Sequence, residues 1–174
     1  MSKKALLGAI FLAWCALSSA EKKDYQVSQN SDDAEENAGN GNMSLNSSDL
    51  ELISDGGTDQ LVGIRFQSIE IPQGATIVSA WLEFETDETD SGATSVTIQG
   101  QDIDDAPTFT GSNSNISNRT LTTASVSWNS IPAWNTVSER HVSPTSLQSS
   151  RKSSTGAAGP PATRTSSWGR RRPW

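Results

Sequence analysis

Alternation of apolar and polar residues at every second position is the clearest pattern in the chain. One segment shows it without interruption, with Val78, Ala80, Leu82 and Phe84 in one phase and Ile77, Ser79, Trp81 and Glu83 in the other. Because successive side chains of a strand point to opposite faces of a sheet, this segment is predicted to be a strand with one buried face.

A second alternating segment changes phase partway along its length. Apolar residues occupy the even positions in residues 62–66, but the odd positions at Ile69 and Ile71. One extra residue in a strand moves the following side chains to the other face. The sequence therefore predicts a bulge or bend near Gln67 and Ser68.

Short strands and turns account for most of the remaining pattern. Further strands are expected at Val96 and Ile98, and at Ala124, Val126 and Trp128. The segments between strands carry residues that favour tight turns, namely Asp55-Gly56-Gly57, Pro72-Gln73-Gly74 and Asp90-Ser91-Gly92. Short strands divided by such turns predict an all-β chain that forms an antiparallel, jelly-roll-like β-sandwich.

Residues 1–20 are predicted to be a signal peptide. Lys3 and Lys4 precede an apolar stretch, residues 5–17, and the small residues Ser18-Ser19-Ala20 follow it. The alternative is a membrane anchor, but the stretch is shorter than the roughly 20 apolar residues of a membrane span. We therefore expect a secreted, periplasmic or cell-surface protein with no membrane span after cleavage. Since the only cysteine is Cys15, the mature protein would have no thiol.

Charge divides the rest of the chain into three parts. Residues 21–42 are acidic and polar, with too few apolar side chains to order on their own, and residues 43–144 form the predicted sandwich. All 20 acidic residues but only 7 of the 13 basic ones lie in residues 1–144, so this part has a net charge of −13. Such a body repels nucleic acid phosphates, and no nucleic acid partner is expected.

Residues 145–174 form a basic, low-complexity tail that is expected to be disordered. One interpretation is a tail that binds anions. A second hypothesis is a single-base deletion near Pro144, because a shifted frame converts serines with TC codons into apolar residues. The serines at 146, 149, 150, 153 and 154 have the spacing of an amphipathic helix. The tail would then be out of frame and the sandwich incomplete at its C-terminus.

The segment "IEIPQGATIVSAWLEFETDETDSGATSVTIQGQD", residues 69–102, resembles the DNRLRE and carbohydrate-binding-module group of β-sandwich modules in secreted bacterial multidomain proteins. The resemblance extends over residues 25–144. It implies a non-catalytic module that binds a glycan or another cell-surface polymer, or acts as a spacer. The alternative is a fragment of a secreted hydrolase whose catalytic domain lay downstream of the frameshift.

Two tryptophans are candidates for stacking on sugar rings. Trp81 alternates with the apolar face of its strand, and Trp134 follows the loop-like Ile131-Pro132-Ala133. Trp128 continues the phase of Ala124 and Val126 and is expected in the core. Trp81 and Trp134 are therefore the predicted ligand-binding residues. The alternatives are that Trp81 faces a second layer of the structure and that Trp134 packs against an end of the sandwich.

Asp102, Asp104 and Asp105 are the candidate ligands for a calcium ion, because Ca²⁺ prefers several oxygen ligands from flexible loops. The alternative is that these acids only solvate a turn. Pro107 stands where an EF-hand loop needs glycine, so that motif is absent.

A catalytic role is not expected. The only histidine is His141, and the sequence contains no G-x-S-x-G, P-loop or H-E-x-x-H motif.

Overall fold

A computed structural model describes residues 21–72, 74–92 and 94–145, together with the backbone of residues 165–169. The predicted signal peptide, residues 1–20, lies outside the described residues, as does most of the basic tail. Within the part of the chain that is described, no helix is long and apolar enough to cross a membrane.

Nine strands form the described structure. They are β1 (Asp33–Asn37), β2 (Met43–Ser44), β3 (Ser54–Asp55), β4 (Thr58–Arg65), β5 (Glu83–Glu85), β6 (Thr94–Gln101), β7 (Leu121–Ile131), β8 (Arg140–Val142) and β9 (Thr165–Gly169). A seven-stranded sheet has the order β2-β1-β4-β9-β6-β7, with β3 paired to β4, and a two-stranded sheet joins β5 to β8. Every strand pair is antiparallel.

The two sheets share one hydrophobic core. The large sheet contributes Val62 and Ile64 from β4 and Val96 from β6, while Phe84 of β5 enters from the small sheet. Trp128 of β7 packs against Phe84, with ring centroids 6.0 Å apart. The predicted all-β, antiparallel class is confirmed, and two sheets on a common core are consistent with a β-sandwich.

A second, smaller cluster covers the other face of the large sheet. Ala34 of β1 packs there with Phe109 and Ile116 from the long connection between β6 and β7. Phe109 lies over Gly63 of β4, where a Cβ atom would come within 2.5 Å of the ring. Glycine at this position is therefore what allows the connection to lie flat on the sheet.

The predicted change of phase after β4 is confirmed. Ile64 and Phe66 are buried, the strand ends at Arg65, and Ser68 has a positive φ of 53°. Ile69 is again buried beyond this point. The bend at Ser68 thus brings both apolar phases to the same core.

The strand predicted around Val78 is shorter than the alternation indicated. Leu82 and Phe84 are buried as expected, but Val78 is exposed and strand geometry begins only at Glu83. The reason is the length of the partner, because β8 has three residues and Ser143 adds one more pair of backbone groups. Alternation alone does not show how much of a segment finds a partner.

The acidic N-terminal segment was expected not to order itself, and β1 differs from that expectation. It pairs with β2 on one side and with β4 on the other. Backbone hydrogen bonds to both neighbouring strands stabilise β1, and its carboxylates bind groups far along the chain. These interactions compensate for the small number of apolar side chains that β1 buries.

The tail was expected to be disordered, and five of its residues differ from that expectation. The backbone of Thr165–Gly169 is β9, in the middle of the large sheet between β4 and β6.

Candidate functional site

The outer face of the two-stranded sheet is the candidate functional site. The register pairs Glu83 with Val142, Phe84 with His141, and Glu85 with Arg140. Phe84 faces the core, so the pairs on either side of it face outward. We call this surface the outer face.

Trp81 extends the outer face by one step. Leu82 and Ser143 continue the ladder, because the Ser143 amide donates to the Leu82 carbonyl at 2.8 Å and the Leu82 amide donates to Ser143 Oγ at 3.0 Å. Leu82 is buried, whereas Trp81 is half-buried. Alternation therefore places Trp81 in the same phase as Glu83 and Glu85.

Arg140 holds two carboxylates together on this face. Its Nη1 lies 2.8 Å from Glu83 Oε1, and its Nε lies 3.5 Å from Glu85 Oε2. The side chain of Arg140 is 59% exposed, compared with 17% for that of Glu83. A guanidinium and carboxylates in this setting keep hydrogen-bonding capacity for a ligand, and the ion pair itself adds little stability at the surface.

Val142 supplies an apolar patch beside these charges. It is 53% exposed and is the register partner of Glu83. The outer face thus combines a half-buried indole, an exposed aliphatic side chain and a fixed ion pair. Aromatic and aliphatic groups contact the apolar faces of sugar rings, while carboxylates and guanidinium groups bind hydroxyls.

Trp134 was predicted as a candidate ligand-binding residue, with packing against an end of the sandwich as the alternative, and the structure buries it. Its side chain is 0% exposed. The backbone pairs with Asp90 through two hydrogen bonds, and the ring stacks on His141 with centroids 4.3 Å apart and an interplanar angle of 3°. Trp134 is therefore part of the core, and His141 serves as its packing partner.

The predicted calcium ligands are not brought together as a site. Asp102, Asp104 and Asp105 all lie exposed in the bend that follows β6. Among the described residues there is no group of three or more histidine, cysteine, aspartate or glutamate side chains placed to hold a metal ion.

The carboxylates that the fold does bury lie on and beside β1. The carboxylate of Asp32 accepts a hydrogen bond from Arg65 Nη1 at 2.5 Å and a second one from Gln67 Nε2. Glu36 Oε2 accepts the amides of Ile116 at 2.7 Å and Ser117 at 2.9 Å. The carboxylates of Asp32 and Glu36 thus accept hydrogen bonds from segments far along the chain, and we assign both of them a structural role.

Glu35 is the acid whose protonation the fold changes most clearly. Burial raises its pKa from 4.5 to about 7, and the nearby charges of Glu51, Asp49 and Asp55 add to the rise. The amide of Glu51 donates a hydrogen bond to Glu35 Oε1 at 2.5 Å, and this bond opposes the rise in the pKa. A perturbed carboxyl can mark a catalytic acid. Here it is 6% exposed and caps a backbone amide, so we assign it a structural role.

Sequence reasoning found one member of the outer face and missed the others. Trp81 follows directly from alternation. Glu83 shares that phase, which was a usable signal for an outward carboxylate. Arg140 had no local signal, because its partner Glu83 lies 57 residues earlier in the chain.

No family model matches the chain, and neither a curated protein nor a solved structure matches it. The resemblance to secreted bacterial sandwich modules therefore stays a prediction.

Proposed function

We propose that this chain is an exported, non-catalytic β-sandwich module that binds a glycan or another uncharged surface polymer through the outer face. The observation that carries the proposal is the position of half-buried Trp81 in the same phase as the Glu83–Arg140 ion pair. Stacking and hydroxyl recognition would then occur on one continuous surface.

Geometry supports this choice of surface. β5 and β8 have three residues each, so their outward side chains form a short, open surface. A polymer chain can lie across such a face without entering a pocket. The inward side chain of Phe84 anchors the face to the core, which limits the reorganisation needed for binding.

Charge supports an uncharged ligand. Residues 21–144, which remain after the proposed cleavage, have 5 basic and 20 acidic residues and thus a net charge of −15, and the outer face carries two carboxylates for one guanidinium. An anionic polysaccharide would approach against this field, whereas a neutral one would not. We therefore favour neutral glycans such as β-linked glucan, xylan or chitin over alginate or pectin.

A co-sedimentation assay with these insoluble or gel-forming polysaccharides tests the proposal. Wild-type chain should bind at least one neutral polymer, Trp81→Phe should retain part of the binding, and Trp81→Ala should reduce it about tenfold, the effect of losing roughly 1.4 kcal/mol. Leu121→Ala is the matched control, because Leu121 is an exposed apolar residue on β7.

The result that overturns the proposal is equally concrete. If Trp81→Ala and Leu121→Ala bind every polymer as the wild type does, the outer face is not the binding surface. If the wild type binds none of them while melting cooperatively, the proposal that the module binds a neutral glycan is wrong. Thermal melts of each variant separate lost binding from lost folding.

A further inference from the structure

Glu35 is the acidic residue of β1 that faces the main core. It is paired in register with Val62 of β4, and directly paired residues of neighbouring strands point to the same face of a sheet. Val62 is buried in the main core. Ala34 and Glu36, the neighbours of Glu35 along β1, lie on the opposite face with the smaller cluster. The carboxyl group of Glu35 therefore lies on the apolar side of the large sheet.

One connecting segment covers Glu35. Residues 45–53 join β2 to β3, and we call them the 45–53 segment. The backbone amide of Glu51 donates a hydrogen bond to Glu35 Oε1 at 2.5 Å. Leu50 and Leu52, on either side of Glu51, are buried in the main core. The segment thus places one amide on the carboxyl group and two leucines in the core.

The backbone of the 45–53 segment is strained where the segment meets β3. Ile53 has a φ of 78°, a left-handed conformation that a β-branched residue rarely adopts. Such a conformation persists only where surrounding contacts hold it. The contacts of Ile53 include the Gln60 amide, which donates to its carbonyl at 3.0 Å, and the main core. The closed position of the segment therefore depends on these contacts and is opposed by its own backbone.

Negative charges lie near Glu35 on the side of the segment. Burial raises the pKa of Glu35 to about 7, and the charges of Glu51 and Asp49 in the segment and of Asp55 in β3 add to the rise. The register partners of Glu35 on β2 and β4 are uncharged. Ionisation of Glu35 thus places a charge in a buried position near three other acids. Contact with water relieves this cost.

We propose that the 45–53 segment is a pH-sensitive cover, which is closed while Glu35 is protonated and opens when Glu35 ionises. Opening uncovers Leu50 and Leu52 and lets the carboxylate of Glu35 reach water. The sheet beneath stays folded, because β1 keeps its backbone pairs with β2 and β4. The protein therefore exposes this apolar segment more often at neutral pH than in acid.

The closed segment is favoured in acid. It keeps Glu35 protonated up to about pH 7, whereas the ordinary pKa of this group is 4.5. The closed state therefore has its full advantage below pH 4.5 and loses it as the pH rises to about 7. Over this range the equilibrium between the closed and the open segment should shift towards the open one by up to roughly 300-fold.

Hydrogen exchange of backbone amides in the full chain tests the proposal. The Glu51 amide reports on the segment. The Arg65 amide, which donates to the Asp32 carbonyl at 2.7 Å, reports on the sheet beneath. Protection of Glu51 should fall by up to roughly 300-fold between pH 4.5 and 7 and be lower than that of Arg65 at pH 7. Low concentrations of urea should speed exchange at Arg65 more than at Glu51, because a local opening exposes less surface.

Glu35→Gln supplies the matched variant. Its side chain keeps an acceptor for the Glu51 amide but cannot ionise, so protection of Glu51 should no longer change with pH. Asp104→Asn removes an exposed acid and should behave as the wild type does.

Two results would overturn the proposal. If Glu51 and Arg65 have equal protection factors at every pH, the segment opens only with the whole sheet. If protection of Glu51 depends on pH as much in Glu35→Gln as in the wild type, Glu35 does not control the segment. The comparison of the two amides in the wild type decides the first question even if Glu35→Gln does not fold.

Discussion

Glu36 on β1 holds Ile116 in place across 80 residues of sequence. Its carboxylate accepts the amides of Ile116 and Ser117, and the Ile116 side chain is then buried against Ala34 and Phe109. The buried carboxylate of Glu36 thus holds the β6–β7 connection against the face of the large sheet that is opposite the main core.

Replacing Glu36 should therefore destabilise the fold through this connection. Glu36→Ala leaves two amides without their acceptor and should lower the free energy of unfolding by about 2–4 kcal/mol. Glu36→Gln keeps one acceptor oxygen and should lose less. Urea unfolding of both variants checks this, with Glu70→Ala, at an exposed position, as the control expected to change little. Equal stability of Glu36→Ala and Glu70→Ala would contradict the role assigned to Glu36.

Gly63 should not tolerate even one added methyl group. A Cβ atom there would lie 2.5 Å from Phe109 Cζ, so Gly63→Ala should cost about 1–3 kcal/mol. Gly111→Ala is the matched control, because a Cβ at Gly111 meets no atom within 4 Å. Thermal melts of Gly63→Ala, Phe109→Ala and the double variant should be non-additive, since the clash disappears with the ring. Additive losses would mean that the two residues do not meet.

Stability should fall as the pH rises through the range in which Glu35 titrates. The folded chain holds a proton at Glu35 up to about pH 7, whereas its ordinary pKa is 4.5. A raised pKa in the folded state stabilises the fold fully below pH 4.5, and this contribution is lost between about pH 4.5 and 7. Its size is at most about 3 kcal/mol.

Unfolding curves of wild type and Glu35→Gln, measured at several pH values, isolate this contribution. The difference between the two should change between about pH 4.5 and 7 and stay constant above it. Asp104→Asn removes an acid from an exposed bend and serves as the control. If the free energies of unfolding of the wild type and Glu35→Gln change in parallel across this pH range, titration of Glu35 does not cause the pH dependence.

Removing Asp32 should be costlier than removing a surface acid. Arg65 is 15% exposed and pairs with Asp32, so Asp32→Ala leaves a largely buried guanidinium without its carboxylate. A loss of about 3–5 kcal/mol is expected. Asp24→Ala is the comparison, because the Lys22–Asp24 pair is more than half exposed and should contribute less than about 1 kcal/mol. Chemical denaturation measures both, and similar losses would show that burial of the Arg65 pair is unimportant.

The part of the fold that follows from local pattern could be predicted from the sequence. Alternation identified the buried face of β4 and the bend at Ser68, and it placed Trp81 on the side opposite Leu82. In each case the information lies within a few neighbouring residues. In these segments the packing against distant partners is consistent with the local pattern.

The rest could not be predicted because distant residues determine it. The order of β1 depends on Glu51, Ile116 and Ser117, whose backbone amides bind its carboxylates from far along the chain. Burial of Trp134 depends on contacts with Asp90 and His141, which no local property of the Ile131-Pro132-Ala133 loop indicates. Arg140 completes the outer face for the same reason.

The position of β9 has a consequence for how the protein is made. Its partner strands β4 and β6 both leave the ribosome before it, so the middle of the large sheet has to wait while its two flanks are already complete. During that interval any extended chain nearby competes for the vacancy. Until β9 has been synthesised, the facing backbone edges of β4 and β6 are therefore open to pairing with an extended segment of another chain.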